Sequence, residues 1–236
     1  MPKNMQAAVL GDIHANAPAL EAVLAAVSRK KIEYLILTGD YVGYYYWPKK
    51  IIDLLEPWPK VAVRGNHEDL LKDAVSSLPV QDRIAKKYGS GMQAAIEQLD
   101  AHELELLTSL PRWTKQKYNE HNIFVGHGSC QDTNEYIYPD ADRESLEQFA
   151  NLGCKWVFLG HTHYKMNLRF GDVNIVNPGS VGQPRDRKPG AAWASVDFEQ
   201  SRVEFHTESY DIKSVARQAR RRDPNHPYLS KVLTRQ

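Results

Sequence analysis

The sequence predicts an α/β protein in which a parallel sheet is formed first and a mostly antiparallel sheet follows. Short apolar runs alternate with helical patterns up to about residue 63, and segments of period two dominate after Pro111. The chain has 236 residues, of which 42% are hydrophobic and 25% charged, enough for one large domain with a substantial core. We expect a single domain over residues 1–210 and a C-terminal helix with a basic tail over 211–236.

The first unit of the chain is a strand, a helix and a second strand. Residues 6–10 form an apolar run that stops at Gly11, and residues 33–38 form another that stops at Gly39. Because the helical pattern between them provides the crossover, the two strands are parallel and their carboxyl ends lie side by side. Asp12, His14 and Asp40 are thereby expected at one edge of the sheet.

A third strand, residues 60–63, leads into a stretch that is unusual for a strand end. Arg64, Asn66 and His67 follow within four positions of Val63, with a glycine among them. A glycine permits a tight turn that presents both following side chains at the open edge of the sheet. Taken alone, the stretch is more typical of a loop in which Asn66 caps the next helix and His67 lies on the surface.

The region from about 68 to 110 has a helical pattern interrupted at Pro79 and at residues 89–91. Two or three helices are expected there, lying across or beside the sheet as a lid-like segment. After Pro111, a hairpin, a helix and several alternating segments follow. The predicted elements are a hairpin of 112–117 and 122–126, a helix of 142–151, a strand of 155–160, and a second, mostly antiparallel sheet of 164–170, 173–177, 191–198 and 202–208.

Five apolar runs end in polar side chains of the types that bind metals. These residues are Asp12 and His14, Asp40, Asn66 and His67, His127, and His161 with His163. Mixed oxygen and imidazole ligands suit Mn, Fe, Co, Ni or Zn, and the absence of thiolates argues against a structural zinc site. Seven ligands are too many for one tetrahedral ion but suit two ions ~3.5–4 Å apart that share a bridge. Asp40, alone after its strand, is the candidate bridging carboxylate.

The motif series resembles that of the calcineurin-like metallophosphoesterases. The resemblance implies a two-sheet mixed β-sandwich flanked by helices and a metal-dependent phosphoesterase with two divalent ions, with Mn favoured. It implies one ion held by Asp12, His14, Asp40 and His163, and a second held by Asp40, Asn66, His127 and His161. It further implies that His67 binds no metal and instead protonates the leaving oxygen or stabilises the phosphoryl group, and that Arg64 neutralises charge there.

Within that superfamily, residues 39–44 and 177–185 look like the compact bacterial phosphodiesterase-type branch. Protein serine/threonine phosphatases share the sequence from Arg64 to Glu68 but carry Asp and Arg where this chain has Gly43 and Tyr44. The carboxylate that orients the catalytic histidine in those enzymes is therefore missing here.

The resemblance thus predicts a phosphoesterase that hydrolyses phosphodiesters or nucleotides by attack of metal-bound hydroxide. Among candidate substrate contacts, the aromatic run from Tyr44 to Trp47 is more typical of internal packing or a dimer contact than of stacking on a nucleobase. Arg185 lies either at the substrate entrance or in a solvated loop. Two alternatives stay open. One is a protein serine/threonine or diadenosine-polyphosphate phosphatase, and the other is a scaffold that keeps the fold without turnover.

Charge and composition narrow the range of partners. The formal net charge is +1, which provides no overall attraction for nucleic acid, and no apolar run approaches the ~20 residues of a membrane span. The two cysteines have no CxxC spacing, as is typical of a reducing compartment. We expect a cytoplasmic protein that acts on small phosphorylated substrates, without a membrane or nucleic-acid partner. The sequence is compatible with a homo-oligomer.

Overall fold

The computed structural model describes residues 5–235 and contains two mixed five-stranded sheets. The strands in chain order are β1 Gln6–Leu10, β2 Leu35–Leu37, β3 Lys60–Ala62, β4 Trp113–Tyr118, β5 His121–Gly126, β6 Trp156–Phe158, β7 Lys165–Phe170, β8 Val173–Pro178, β9 Ala191–Asp197 and β10 Arg202–Glu208. The first sheet has the order β10-β9-β1-β2-β3, and the second has the order β4-β5-β6-β8-β7.

Helices flank the sheets and form the C-terminal segment. They are α1 Ala17–Arg29, α2 Pro48–Leu55, α3 Asn66–Ser76, α4 Leu78–Tyr88, α5 Gly91–Gln98, α6 Ala101–Ser109, α7 Arg143–Ala150, α8 Ile212–Arg222 and α9 Tyr228–Lys231, followed by a 3-10 helix at Val232–Thr234. Within residues 5–235, every helix is too short or too polar to cross a bilayer.

The predicted parallel unit is confirmed. Strand β1 pairs with β2, and β2 pairs with β3, both in parallel, so that the loops after all three strands lie at one edge. The predicted hairpin is also confirmed, since β4 and β5 pair in antiparallel fashion across a two-residue turn. The two-sheet sandwich flanked by helices that the resemblance implied is therefore the fold of the protein.

The grouping of the last four strands was wrong. Only β7 and β8 belong to the second sheet, where β8 also pairs in parallel with β6. Strands β9 and β10 instead complete the first sheet, with β9 antiparallel to β1 through pairs such as Ala8 with Ser195. Period-two alternation identifies a strand but carries no information about its partner.

The chain returns to the first sheet through residues 179–190, of which residues 180–182 form hydrogen bonds with the loop after β1. The Ser180 hydroxyl donates to the Asp12 carbonyl at 2.7 Å, and the Val181 amide donates to the Gly11 carbonyl at 3.1 Å. These bonds bring the following residues beside the open edge of β1. Strand β9 consequently has buried residues on both faces, and the first four of its seven residues, from Ala191, are all buried.

The region predicted to hold two or three helices holds four, α3 to α6. The predicted break at Pro79 lies at Ser77, and one unforeseen break lies at Asp100, whose side chain caps α6 by accepting a hydrogen bond from the Glu103 amide at 2.8 Å. Glu103 in turn accepts from the Asp100 amide, which completes a capping box. Helix α3 begins at Asn66, so the Asn66-His67 pair lies in a first helical turn rather than at a strand end.

Three apolar clusters hold these layers together. One lies between the two sheets and includes Val9, Ile36, Val125 and Trp156. A second joins the outer face of the first sheet to the helices before residue 110, and a third joins the second sheet to α7. A fourth cluster packs the C-terminal helices against the aromatic segment at 44–46. The open ends of the strands are left for the loops that carry the candidate ligands.

Candidate metal centre

The candidate ligands lie at the carboxyl ends of parallel strands from both sheets. Loops after β1, β2 and β3 provide Asp12, His14, Asp40 and Asn66, and loops after β5 and β6 provide His127, His161 and His163. The carboxyl ends of strands in open α/β sheets are the usual position of ligand sites. All seven predicted ligands are brought together here, and we call them the ligand cluster.

Each imidazole of the ligand cluster has one ring nitrogen placed against a backbone carbonyl. The pairs are His14 Nδ1 with Val42 O at 3.2 Å, His127 Nδ1 with Thr38 O at 2.7 Å, His163 Nδ1 with Gln183 O at 2.6 Å, and His161 Nε2 with Asn134 O at 3.2 Å. A carbonyl only accepts, so the facing nitrogen carries the proton and the other nitrogen presents a lone pair. This arrangement is the usual way in which proteins orient imidazole ligands toward a metal.

The lone pairs of these ligands lie so close together that a cation between them would stabilise the arrangement. His14 Nε2 lies 3.1 Å from His163 Nε2, and His127 Nε2 lies 3.0 Å from the Asn66 amide oxygen. In the tautomers set by the carbonyls, both members of each pair are acceptors. Two buried acceptors at such distances repel each other unless a proton or a metal ion lies between them.

The two aspartates are positioned between the imidazoles. Asp12 Oδ1 lies 3.2 Å from His163 Nε2, and Asp40 Oδ2 lies 3.7 Å from His14 Nε2 and 3.3 Å from His127 Nε2. Asp40 thus adjoins imidazoles from both sheets, which is the position required of a bridging carboxylate. Its other oxygen, Oδ1, accepts a hydrogen bond from the His67 amide at 2.9 Å.

The electrostatics of the cluster favour positive charge. Burial alone would lower the pKa of His127, but the adjacent Asp40 carboxylate outweighs it and raises the pKa to about 9. Burial lowers the pKa of His161 to about 4, and the pKa of His14 also falls, because burial dominates there. A divalent ion beside the two buried aspartates would supply the positive charge that their carboxylates favour.

Backbone strain is concentrated in the same loops. Five of the seven ligands have a left-handed backbone, with φ between 50° and 67°. These five are Asp12, His14, Asp40, His161 and His163. A side chain in this region costs of order 1–3 kcal/mol and persists only where the surroundings fix it, commonly at functional sites.

Glu68 fixes one of these loops and was not predicted to have a role. Its carboxylate accepts hydrogen bonds from the amides of Asp40 at 2.9 Å, Tyr41 at 2.8 Å and Gly65 at 2.8 Å. Burial, together with the charge of Asp40, raises the pKa of Glu68 to about 7. The residue joins the loops after β2 and β3 without contributing to the ligand cluster. Its bond to the Gly65 amide is one half of a capping box, but Gly65 has no side chain to complete it, so the sequence carries no capping-box signal here.

His67 lies beside the ligand cluster, with a ring nitrogen within 4.8 Å of ligand atoms of His14 and Asp40. Its Nδ1 is buried and has no hydrogen-bond partner among the described residues. Gly43 lies directly against that nitrogen, since a Cβ at position 43 would be 2.0 Å from it. The missing side chain at Gly43 therefore makes room for the ring.

Arg64 is not brought into the cleft. Its Nε donates to Asp69 Oδ1 at 2.7 Å, and its Nη1 donates to the Leu110 carbonyl, so the guanidinium joins α3 to the end of α6. Arg185 is placed there instead. It lines the cleft with Tyr44 and His67, its Nη2 lies 3.4 Å from the Tyr44 hydroxyl, and its buried Nε has no partner among residues 5–235.

The other aromatic side chains divide between packing and the cleft. Tyr45 and Tyr46 are fully buried and pack against the C-terminal helices. Tyr44 and Tyr88 line the cleft beside His67, and Tyr136 lines it with its ring centroid 4.0 Å from that of His161. No pattern in the sequence pointed to Tyr88 or Tyr136, because both lie in segments without a motif.

Comparison with known proteins identifies the family. The profile of the calcineurin-like phosphoesterases matches residues 5–165, and the chain belongs to this family. It is 29% identical to Uncharacterized protein MJ0912 of Methanocaldococcus jannaschii over 228 residues, 88% of this chain and 89% of the relative.

Two solved structures have the same fold over nearly their whole length. Hypothetical protein PH1004 from Pyrococcus horikoshii OT3 superposes with a TM-score of 0.83 at 22% identity, covering 98% of both chains. A metallophosphoesterase from Sphaerobacter thermophilus superposes with a TM-score of 0.79 at 28% identity, covering 99% of both chains. This mutual coverage agrees with the compact branch that the motifs indicated. The protein is accordingly a metal-dependent hydrolase of the phosphoesterase class.

Proposed function

We propose that the protein hydrolyses small phosphodiesters or nucleotides with two divalent ions held by the ligand cluster. The observation that carries the proposal is the set of facing acceptor atoms around Asp40, which two cations would satisfy. In this assignment Asp12, His14, Asp40 and His163 hold one ion, and Asp40, Asn66, His127 and His161 hold the other. Mixed oxygen and imidazole ligands without thiolates suit Mn, Fe, Co, Ni or Zn, and among these Mn is favoured by the resemblance to the family.

Such ions, when bound, would polarise the phosphoryl oxygens and lower the pKa of a water molecule so that hydroxide attacks at neutral pH. The side chains of the cleft provide the rest. Arg185, with its unpartnered Nε, is the donor for a phosphoryl oxygen that the sequence had assigned to Arg64. His67 donates a proton to the leaving oxygen, a role for which it lies next to the cluster without belonging to it.

The dimensions of the cleft favour a small ester. Its cavity volume is about 60 Å³, well below the ~300–1,000 Å³ of sites for drug-sized ligands. Tyr44, Tyr88 and Tyr136 narrow it on the sides that the ligand cluster leaves open. A folded phosphoprotein would have to present its phosphate on a thin, extended loop to reach Asp40.

The test uses protein reloaded separately with Mn, Fe, Co, Ni or Zn. Three esters are compared: methyl 4-nitrophenyl phosphate, methyl phenyl phosphate and the monoester 4-nitrophenyl phosphate. We expect both diesters to be hydrolysed and preferred over the monoester. His67→Ala should lower kcat on methyl phenyl phosphate by about 10²–10⁴-fold, the usual contribution of a general acid, with metal content unchanged.

His102→Ala is the matched control, because His102 is exposed on α6 and is not among the residues that line the cleft. Failure of every metal to support hydrolysis of any of the three esters would refute the proposed function. Full activity of the His67→Ala variant would refute the assigned role of His67 alone.

A further inference from the structure

No hydrogen bond among the described residues explains the orientation of the His67 ring. Every imidazole of the ligand cluster has a backbone carbonyl against one nitrogen, whereas His67 Nδ1 is buried and unpartnered among the described residues. The backbone of Gly43 occupies the space beside that nitrogen, and this leaves no room for a carboxylate. A ring that acts as a proton donor still has to be held in one direction.

Aromatic rings surround His67 where a carboxylate is missing. The ring centroid of Tyr44 lies 4.8 Å from that of His67 at an interplanar angle of 45°, and that of Tyr88 lies 5.5 Å away at 56°. His14 completes the enclosure at 4.7 Å. Tyr44 and Tyr88 also contact each other edge to face at 5.9 Å, so the two tyrosines form one unit, which we call the tyrosine pair.

Tyr88 reaches this position because the turn after α4 is fixed on two sides. Gly91 lies against the Tyr44 backbone, where a Cβ would be 2.6 Å from the Tyr44 amide nitrogen. On the other side, the buried carboxylate of Asp223 accepts hydrogen bonds from the Ser90 amide at 2.8 Å and the Ser90 hydroxyl at 2.9 Å. The same carboxylate accepts from the Tyr46 hydroxyl at 2.7 Å.

We propose that the tyrosine pair positions His67 and thereby takes the place of an orienting carboxylate. The proposal rests on the function proposed above, in which His67 protonates the leaving oxygen. Ring contacts fix the plane of the imidazole but provide no charge, so their loss would leave the metal ions and the attacking group in place. Only protonation of the leaving oxygen, which depends on the direction of the His67 N–H, would become slower.

The readout is the dependence of turnover on the leaving group. Methyl phenyl phosphate and methyl 4-nitrophenyl phosphate differ only in the nitro group, and the more basic phenolate needs the proton far more. Tyr88 is the informative position, because Tyr44 also contacts Arg185. Tyr88→Ala should lower the ratio of kcat for the phenyl ester to kcat for the nitrophenyl ester at least tenfold. Tyr88→Phe, which keeps the ring, should restore the ratio.

Two further variants separate positioning from general damage. Tyr34→Ala removes a half-buried tyrosine that packs on Tyr118, at a position outside the cleft lining, and should leave the ratio unchanged. The double variant Tyr88→Ala with His67→Ala should have the ratio of His67→Ala alone, because the effect of Tyr88 passes through His67.

The outcomes are distinguishable. A lowered ratio in His67→Ala together with an unchanged ratio in Tyr88→Ala would overturn the positioning role and leave the proposed function intact. Equal losses on both esters in Tyr88→Ala would also overturn it, since a structural defect acts on both. An unchanged ratio in His67→Ala would instead contradict the role of His67 on which the proposal rests.

Discussion

The ligand cluster and the tyrosine pair hold functional side chains on two sides of one cleft by different means. In the ligand cluster, backbone carbonyls and amides fix each imidazole and aspartate through directed hydrogen bonds. Around His67, ring contacts from the tyrosine pair and the bare backbone of Gly43 provide the constraint. Directed hydrogen bonds fix the position of a lone pair closely, whereas ring packing fixes only the plane of the imidazole. Ring packing also depends on the residues that support the packed rings. Substitutions should therefore have separable effects on metal binding and on proton transfer.

The largest effect is expected for Asp40→Ala. Removal of the carboxylate that adjoins imidazoles of both sheets should abolish binding of at least one ion and reduce kcat/KM by about 10³-fold or more, the scale of several kcal/mol of Lewis-acid stabilisation. Metal content by elemental analysis and hydrolysis of methyl 4-nitrophenyl phosphate provide the measurements. Asp197→Ala, on an edge far from the cleft, is the control. Retention of two ions per chain by Asp40→Ala would contradict the bridging position.

Gly43→Ala should act on the other side of the cleft. The added methyl group would lie 2.0 Å from His67 Nδ1, on a backbone with φ of 85°, and should displace the ring. We expect kcat on methyl phenyl phosphate to fall by about 10²-fold, toward the lower limit of a general-acid contribution, with metal content retained. Gly171→Ala carries similar backbone strain at φ of 57° but meets nothing within 4 Å. Equal losses in the two variants would show that strain, not displacement, is the cause.

Asp223→Ala should have an intermediate effect, because it acts through the tyrosine pair from a distance. It leaves the Tyr46 hydroxyl and two donors of Ser90 unpaired, which costs about 1–3 kcal/mol of unfolding free energy for each buried group. The leaving-group ratio should fall in the folded protein as Tyr88 loosens. Asp211→Ala removes only the cap of α8 and serves as the control for stability, measured by urea unfolding. A normal leaving-group ratio in Asp223→Ala would show that the C-terminal segment does not influence the cleft through Tyr88.

Arg64→Gln should have the smallest effect on catalysis. The side chain joins Asp69 to the Leu110 carbonyl, so its loss should reduce the unfolding free energy by about 1–2 kcal/mol and change kcat/KM less than threefold. Thermal unfolding and diester hydrolysis measure the two quantities. A loss of kcat/KM on the scale of Gly43→Ala, with stability intact, would restore the catalytic role that the sequence indicated.

The difference between the two sides also explains what the sequence could predict. Candidate ligands follow apolar runs, and Asp12, Asp40 or His161 can be recognised because the carboxyl ends of parallel strands meet. Tyr88 belongs to a helix whose position depends on Asp223, more than a hundred residues later in the chain. Such long-range packing produces neither a periodic pattern nor a motif in the sequence.

The misassigned strands and the role of Arg64 have related causes. Alternation placed β9 and β10 correctly as strands, but the hydrogen bonds of Ser180 and Val181 decide which sheet they join. The Arg64 to Glu68 sequence is shared with enzymes that use the arginine on phosphate, yet Asp69 binds the guanidinium here. A motif specifies residue types, whereas the neighbouring carboxylate determines what the cation does.

The return of β9 to β1 has a consequence for the order of events during synthesis. The first sheet contains the earliest strand of the chain and two of its latest, and the pairing of Ala8 with Ser195 closes almost the whole polypeptide into a loop. Contacts so distant in sequence form slowly, and a nascent chain cannot make them until β9 has left the ribosome. Until then β1 has an unpaired strand edge. We therefore expect chains truncated before residue 190 to aggregate through this edge, although β9 contributes no ligand.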